Sequence, residues 1–389
     1  MNKATYDIII IGGGVIGSSI AYHLLKNDQI KLAVVERDPS YARASTPLSI
    51  GNLRIQFNLK ENVQISQYAL EFMQDFEAEM AVDGTQPRIA WHQEGNLFIH
   101  DEKNKARAQN EMAMQLDLGC QVEWWSQAKL KKRFSHCNLD SCIGATYGPK
   151  DGTMDPYAVL MGFKAKARSL GAEYITDEAI EICKQRGHVT GVKLASGKEL
   201  KSDMVMNCAG AWAAEIAKTA GVEIPVVPVK RQVFAVDPQI KQDTMPRLTV
   251  LPSGLYIAKE TGGILFISKT MAEDPIGFDF NWDDKRFMDV IWPEAAEFNP
   301  QLETLKLIRG WAGLYAENML DANAILGQWP ELNGLYLANG FSGHGFQQAA
   351  AVGRHMSELI TGKQPSLDLS IFGPERVLDH KPIRANVIV

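Results

Sequence analysis

The feature that most restricts this chain lies near its N-terminus, where the apolar run Ile8-Ile9-Ile10-Ile11 is followed at once by Gly12-Gly13-Gly14-Val15-Ile16-Gly17. A short β-branched run of this kind suits a strand buried on both faces of a parallel sheet. In the turn behind it, Gly12 permits a tight bend, Gly14 lets main chain approach a pyrophosphate, and Gly17 lets the next helix lie close against the sheet. That helix, from Val15 to about Lys26, opens with the amides of Val15 and Ile16 aimed at phosphate oxygens. Lys31 to Val35 reads as a second strand ending at Glu36-Arg37, and a carboxylate there accepts from a ribose hydroxyl pair while repelling a 2′-phosphate. A dinucleotide-binding α/β domain is expected.

At 389 residues the chain is too long for one core of ordinary size, so two closely joined domains are expected. A net charge of -6, with no dense Lys/Arg run, argues against nucleic acid as a partner. The cysteines Cys120, Cys137, Cys142, Cys183 and Cys208 are odd in number and widely spread, which does not fit a disulfide framework. The first residues lead straight into Tyr6 to Ile11, without a basic segment or cleavage site, and no apolar run is long enough to cross a bilayer. A cytoplasmic location and no transmembrane segment are expected.

Three further stretches return to glycine-bordered turns. The loop from Arg43 to Arg54 contains Ser45, Thr46, Ser49, Ile50, Gly51 and Asn52, small and hydroxyl residues able to wrap a phosphate and press main chain against a ring; its plain alternative is a surface connection. Val189 to Leu194 with Ser196-Gly197-Lys198 reads as a hairpin, and Met204 to Cys208 as a buried strand ending at Ala209-Gly210-Ala211-Trp212. Leu335 to Asn339 is another strand, followed by Gly340-Phe341-Ser342-Gly343-His344-Gly345-Phe346-Gln347-Gln348 and a helix to about Ile360, whose first amides favour negative charge. From Asn58 onward, Val63, Phe72, Phe76 and Met80 mark an amphipathic helix. Val226 to Val236, Leu248 to Ala258 and Ile264 to Ser268 read as strands of a second domain, with helices following Asp279. A β-meander between nucleotide-binding strands is hard to obtain in an NAD dehydrogenase, and repeated returns suit a ligand as long as FAD.

These pieces in this order resemble the D-amino-acid oxidase family of FAD-dependent oxidoreductases, which includes glycine oxidase, sarcosine oxidase and dimethylglycine dehydrogenase. STPLSIGNLRIQF, NCAGAWA, RGWAGLY and NGFSGHGFQQA are most similar to its branch of mitochondrial FAD-dependent oxidoreductase domain-containing proteins and their bacterial relatives. The resemblance covers nearly the whole chain. It implies a glutathione-reductase-like fold, with a discontinuous Rossmann FAD domain over residues 1–85, 145–221 and 325–389. An α+β substrate domain on a mixed sheet would span 86–144 and 222–324. It also implies that Gly12, Gly14, Gly17 and Glu36 hold the ADP half and that Ser45 and Thr46 hold the pyrophosphate. Ser49 to Asn52 would hold the flavin, Ile180, Ala209, Gly210 and Trp212 would border the ADP side, and Gly313 with Gly343 to Gln347 would face the flavin.

The implied reaction is hydride transfer to flavin from the carbon beside an amine nitrogen of an amino acid or N-methylated amine. The flavin carries that chemistry, so the protein must orient the substrate rather than supply a nucleophile. The lysine with which sarcosine oxidase holds a substrate carboxylate corresponds here to Gln347, its two arginines to Arg54 and Phe57, and the carboxylate-binding arginine of glycine oxidase to Tyr315. Arg54 and Arg231 remain as anion partners or, equally, as members of structural ion pairs. Tyr256 and Tyr315 shape the pocket or the core, and His344 is catalytic or structural. No cysteine lies in Gly313 to Asp321 and no histidine beside Thr46, where relatives carry covalent links, so FAD is expected to be non-covalent. The lysine that speeds the oxygen reaction of sarcosine oxidase falls near Phe266 or Lys269, which leaves the electron acceptor open with a lean towards a dehydrogenase. Cys137 and Cys142 have redox-pair spacing but lie too far from the second strand for a disulfide reductase. GFSGHGF stands where a flavin hydroxylase would carry a Gly-Asp turn. A flavoprotein kept for binding or assembly, with little turnover, is the remaining alternative.

Overall fold

The computed structural model describes residues 4–240 and 245–383; the ends of the expected first domain, 1–3 and 384–389, and residues 241–244 of the second lie outside the described residues. Ile8–Ile11 forms the central strand of a six-stranded sheet. Across this sheet the order is Ile325–Gln328, Leu335–Asn339, Val205–Asn207, Ile8–Ile11, Leu32–Glu36, Glu173–Thr176, and all neighbours are parallel except the first pair. Alternation along the central strand divides it between two cores. Ile8 and Ile10 pack with the helices Val15–Asn27, Pro156–Ser169 and Gly345–Ile360, whereas Ile9 and Ile11 pack under the antiparallel strands Ala179–Gln185, His188–Leu194 and Glu199–Lys201. Burial on both faces is what a continuous β-branched run requires.

The second unit is an eight-stranded mixed sheet ordered Lys306–Asn318, Val226–Asp237, Leu265–Lys269, Leu255–Lys259, Leu248–Val250, Asn96–His100, Gly144–Gly148, Glu123–Ser126. One face is sealed by Phe287, Ile291, Ala295 and Phe298 on the helical segment 284–298 and by Leu130 on the helix Gln127–Arg133. Its long outer pair aligns Arg231 with Gly313, Val229 with Tyr315 and Val227 with Glu317.

Two details differ from expectation. Leu248 to Ala258 is a hairpin rather than one strand, because Pro252-Ser253-Gly254 reverses the chain and Leu251 N donates to Leu255 O at 2.8 Å. The expected domain boundary at residue 145 cuts through the strand Gly144–Gly148, which pairs with Asn96–His100 and Glu123–Ser126. Among the described residues no helix is long and apolar enough to cross a membrane.

Candidate active site

The strands Ile8–Ile11, Leu32–Glu36, Val205–Asn207 and Leu335–Asn339 are parallel, so their C-terminal ends open on one edge, the usual crevice for a ligand of such a sheet. There a cavity of about 1140 Å³ runs between the two sheets. It exceeds the ordinary range of small-molecule pockets, roughly 300–1,000 Å³.

The nucleotide turn lies along this cavity. A Cβ at Gly17 would sit 2.0 Å from the Gly12 carbonyl oxygen, so the helix reaches the turn only because residue 17 is glycine. Gly17 serves this close packing and does not line the cavity, whereas Gly12, Gly14, Val15 and Ile16 do. Beyond its two chain neighbours, Gly14 has nothing of the protein within 4 Å of its Cβ position, which leaves the approach to the first amides of the helix open. The Glu36 carboxylate accepts from Gly13 N at 2.8 Å and Asp38 N at 2.9 Å, and burial raises its pKa. The helix Gly345–Ile360 also begins on the cavity, without a side-chain cap on its first amides. The strand before it lies two places from Ile8–Ile11, about 10 Å at the normal strand spacing. Two uncapped helix N-termini, an open glycine turn and a carboxylate at the second strand end fit FAD. The helix starts would hold its pyrophosphate and an electron-rich ring edge, and Glu36 its ribose.

Arg37, Ser45, Thr46, Ser49, Ile50, Gly51, Asn52, Ile180, Ala209, Gly210, Trp212, Gly313, Gly343, His344, Gly345, Phe346 and Gln347 all line the same cavity. Their side chains do not all face it freely. Ser45 Oγ donates to Leu314 O at 2.7 Å and Ser49 Oγ to Thr46 O at 2.8 Å. The Asn52 amide is engaged with Asn96 and Gly152 O, so this residue can offer a flavin its main chain but not its side chain.

Arg54, Arg231, Tyr256 and Tyr315 also line the cavity, and the fold separates the two arginines. Arg231 is bound to Asp274 at 2.9 Å and Glu317 at 3.5 Å, with its guanidinium over the Tyr315 ring at 4.9 Å. Its charge is thus paired with two carboxylates of the protein itself. Arg54 is buried, and among the described residues no carboxylate lies within the 4.0 Å of an ion pair. Its guanidinium lies over Phe57 at 4.6 Å and Phe98 at 5.2 Å, and Nη2 is 3.3 Å from His344 Nε2. Guanidinium only donates, so Nε2 of His344 accepts and the ring proton resides on Nδ1. Burial, and then Arg54, push the His344 pKa down to about 3, so the ring is neutral and is not a proton donor at physiological pH. Burial likewise raises the Tyr256 and Tyr315 hydroxyl pKa values and keeps both protonated.

Several groups at the site carry no local signal in the sequence. Phe98 lies beside Arg54, and Phe278 and Phe280 stack on Trp212 at 5.2 and 6.4 Å. The i, i+2 pair of phenylalanines around Asp279 is the only local hint of the latter. Cys137 and Cys142 are free, outside the cavity, and have thiol pKa values raised by burial. Phe266 meets Trp311 edge-on, and Lys269 pairs with Glu294 at 2.6 Å; neither lines the cavity.

A parallel nucleotide sheet joined to an antiparallel-rich sheet across one elongated cavity defines a two-domain flavin-nucleotide protein. Comparison with known proteins agrees. The DAO family, FAD dependent oxidoreductase, matches residues 7–359. FAD-dependent oxidoreductase domain-containing protein 1 of Bos taurus is 34% identical, over 94% of this chain and 83% of that protein. The crystal structure of L-proline dehydrogenase from P. horikoshii superposes with a TM-score of 0.88 at 27% identity, covering 98% of this chain and 100% of that one. Glycine oxidase from Geobacillus kaustophilus shares the fold, with a TM-score of 0.82 at 23% identity over 95% of this chain and 98% of that one. The chain belongs to the DAO family of FAD-dependent oxidoreductases.

Proposed function

We propose that the protein oxidises an amino acid or N-alkylated amino acid, with the substrate carboxylate held by Arg54. The observation that carries this reading is the Arg54 guanidinium, desolvated, lining the cavity and without an ion-pair partner among the described residues. A buried unpaired cation is costly, and an incoming carboxylate removes that cost through two parallel N–H···O bonds. The relatives named as L-proline dehydrogenase and glycine oxidase support an amino-acid substrate.

FAD, when bound, supplies the two-electron acceptor for the hydride leaving the carbon beside the substrate nitrogen. The protein's part is placement. Phe57 and Phe98 pack against the Arg54 guanidinium, neutral His344 accepts one of its N–H groups, and Tyr256 and Tyr315 wall the pocket. The first amides of the helix Gly345–Ile360 favour negative charge at their end of the cavity. Lys269 is engaged with Glu294 outside the cavity, which supports an electron acceptor other than oxygen.

The test is anaerobic mixing of the FAD-loaded protein with N-methyl amino acids, proline, glycine, D-amino acids and carboxylate-free secondary amines. Bleaching of the flavin by carboxylate-bearing members alone is the expected result. Bleaching by amines regardless of a carboxylate would remove Arg54 from the mechanism. No bleaching anywhere in the panel would point instead to a binding or assembly role.

A further inference from the structure

We propose that Asp151 and Gln347 are positioning residues that clamp the main chain at Arg54 and so aim its guanidinium into the cavity; the proposal rests on the assignment of Arg54 made above. Arg54 N donates to Gln347 Oε1 at 3.0 Å, and the next amide, Ile55 N, donates to Asp151 Oδ1 at 2.9 Å. Two consecutive amides just beyond the strand Asn52–Leu53 are thus held by buried side chains from different parts of the fold. Gln347 comes from the first turn of the helix beside the nucleotide sheet. Asp151 comes from the turn after the strand Gly144–Gly148 of the other sheet.

The Asp151 side of the clamp is built with some care for space. Asp151 is 0% exposed, and Oδ2 also accepts from Gln56 Nε2 at 3.2 Å, whose amide in turn reaches Asn96 O at 3.2 Å. A Cβ at position 148 would lie 2.3 Å from Asp151 Oδ2, so glycine there leaves room for the carboxylate. No ion pair joins Asp151 to Arg54, so Asp151 holds the main chain without occupying the donors of the guanidinium. Contact would have produced a closed ion pair like that of Arg231 with Asp274. Gln347 contributes the same kind of support through its acceptor oxygen. Its bond to Arg54 N turns it towards the main chain, which differs from a side chain that itself holds the substrate.

Asp151→Leu removes the acceptor that holds Ile55 N, and Gln347→Met keeps length while removing the acceptor that holds Arg54 N. Both are compared as FAD-loaded proteins with the unaltered chain and with Arg54→Met. The flavin absorbance change is titrated with acetate, propionate and butyrate, with acetamide as the uncharged control. KM and kcat are measured for the best substrate of the panel. Each clamp variant is expected to weaken carboxylate binding about tenfold and to raise KM by more than it lowers kcat, with acetamide binding and FAD content unchanged. Should Asp151→Leu not accumulate with FAD bound, Gln347→Met carries the test alone. Unchanged carboxylate affinity in the clamp variants, beside weakened affinity in Arg54→Met, overturns the clamp and leaves Arg54 in place. So does equal weakening of acetamide, which would mark a general loss of structure. Unchanged affinity in Arg54→Met overturns both readings.

Discussion

The guanidinium carbon of Arg37 lies 3.8 Å from the centroid of the Trp212 ring, joining the end of the second nucleotide strand to the turn after Val205–Asn207. Phe278 stacks on the same indole at 5.2 Å with an interplanar angle of 14°, and Lys230 secures the intervening segment by pairing with Asp279 at 2.7 Å. Arg37, Trp212 and Phe278 all line the cavity, and we propose that this stack closes the ADP side of the FAD site. Cation–π and ring–ring contacts are each worth about 0.5–1.5 kcal/mol. Trp212→Ala is therefore expected to weaken FAD binding roughly tenfold, read from recovery of flavin fluorescence on dilution. Unchanged release would assign the stack to domain docking alone.

Gly14 separates folding from cofactor binding. With no protein atom beyond its chain neighbours within 4 Å of its Cβ position, Gly14→Val is expected to add its volume to the cavity. The FAD-free variant should melt within a few degrees of the FAD-free parent, as is normal for substitutions that touch no packed group. It should nevertheless purify colourless and stay so with added FAD. A yellow Gly14→Val protein would place the pyrophosphate elsewhere.

Arg54 should resist conservative replacement. Loss of charge-assisted hydrogen bonds costs about 1.5–3 kcal/mol, which corresponds to roughly a ten- to hundred-fold rise in KM for a carboxylate substrate. Arg54→Lys should recover little of it, since an ammonium cannot form the planar fork between Phe57 and Phe98. Full recovery by lysine would show that charge alone is used.

FAD attachment can be read by eye. Gly313 to Asp321 contains no cysteine, and Ala44, Ser45, Pro47 and Leu48 around Thr46 include no histidine. Acid precipitation is expected to leave the yellow colour in solution. A coloured pellet would reveal a covalent link at a residue outside these two stretches.

His23 gives the stability a defined pH dependence. It is buried between Tyr22, Phe72 and Phe163, with Nδ1 2.9 Å from Ser19 O, and burial pushes its pKa from 6.5 down to about 4. A depressed histidine contributes stability that is fully present above 6.5 and is lost as pH falls through about 4. Asp151 acts in the opposite sense: its pKa is raised by burial from 3.8 to about 7, so its contribution is lost as pH rises through that range. The urea midpoint of His23→Leu should accordingly fall less between pH 6.5 and pH 4.5 than that of the parent. An identical fall in both would show that His23 titrates normally in the folded chain.

Much of the nucleotide half is legible in the sequence. The strand Ile8–Ile11, the helix Val15–Asn27, the strand Leu335–Asn339 and the helix Gly345–Ile360 follow from contiguous patterns of apolar runs and glycine. The hairpin at Pro252 to Gly254 was also written locally, but the apolar residues on either side obscured it. Asp151 was not legible, because a lone aspartate between Lys150 and Gly152 reads as an ordinary turn until the fold brings Ile55 and Gln56 against it.

What the sequence determined by itself is the cofactor-binding architecture, since a turn that approaches a pyrophosphate needs particular residues at fixed spacing, and spacing is a property of the chain. What only the tertiary structure decided is which arginine is left without an ion-pair partner among the described residues. Arg54 and Arg231 look alike in sequence, and the difference lies in distant partners: Asp274 and Glu317 reach Arg231, while Asp151 stops short of Arg54. Electrostatic pairing depends on distance in space and on exclusion of water, and neither is written in the order of residues.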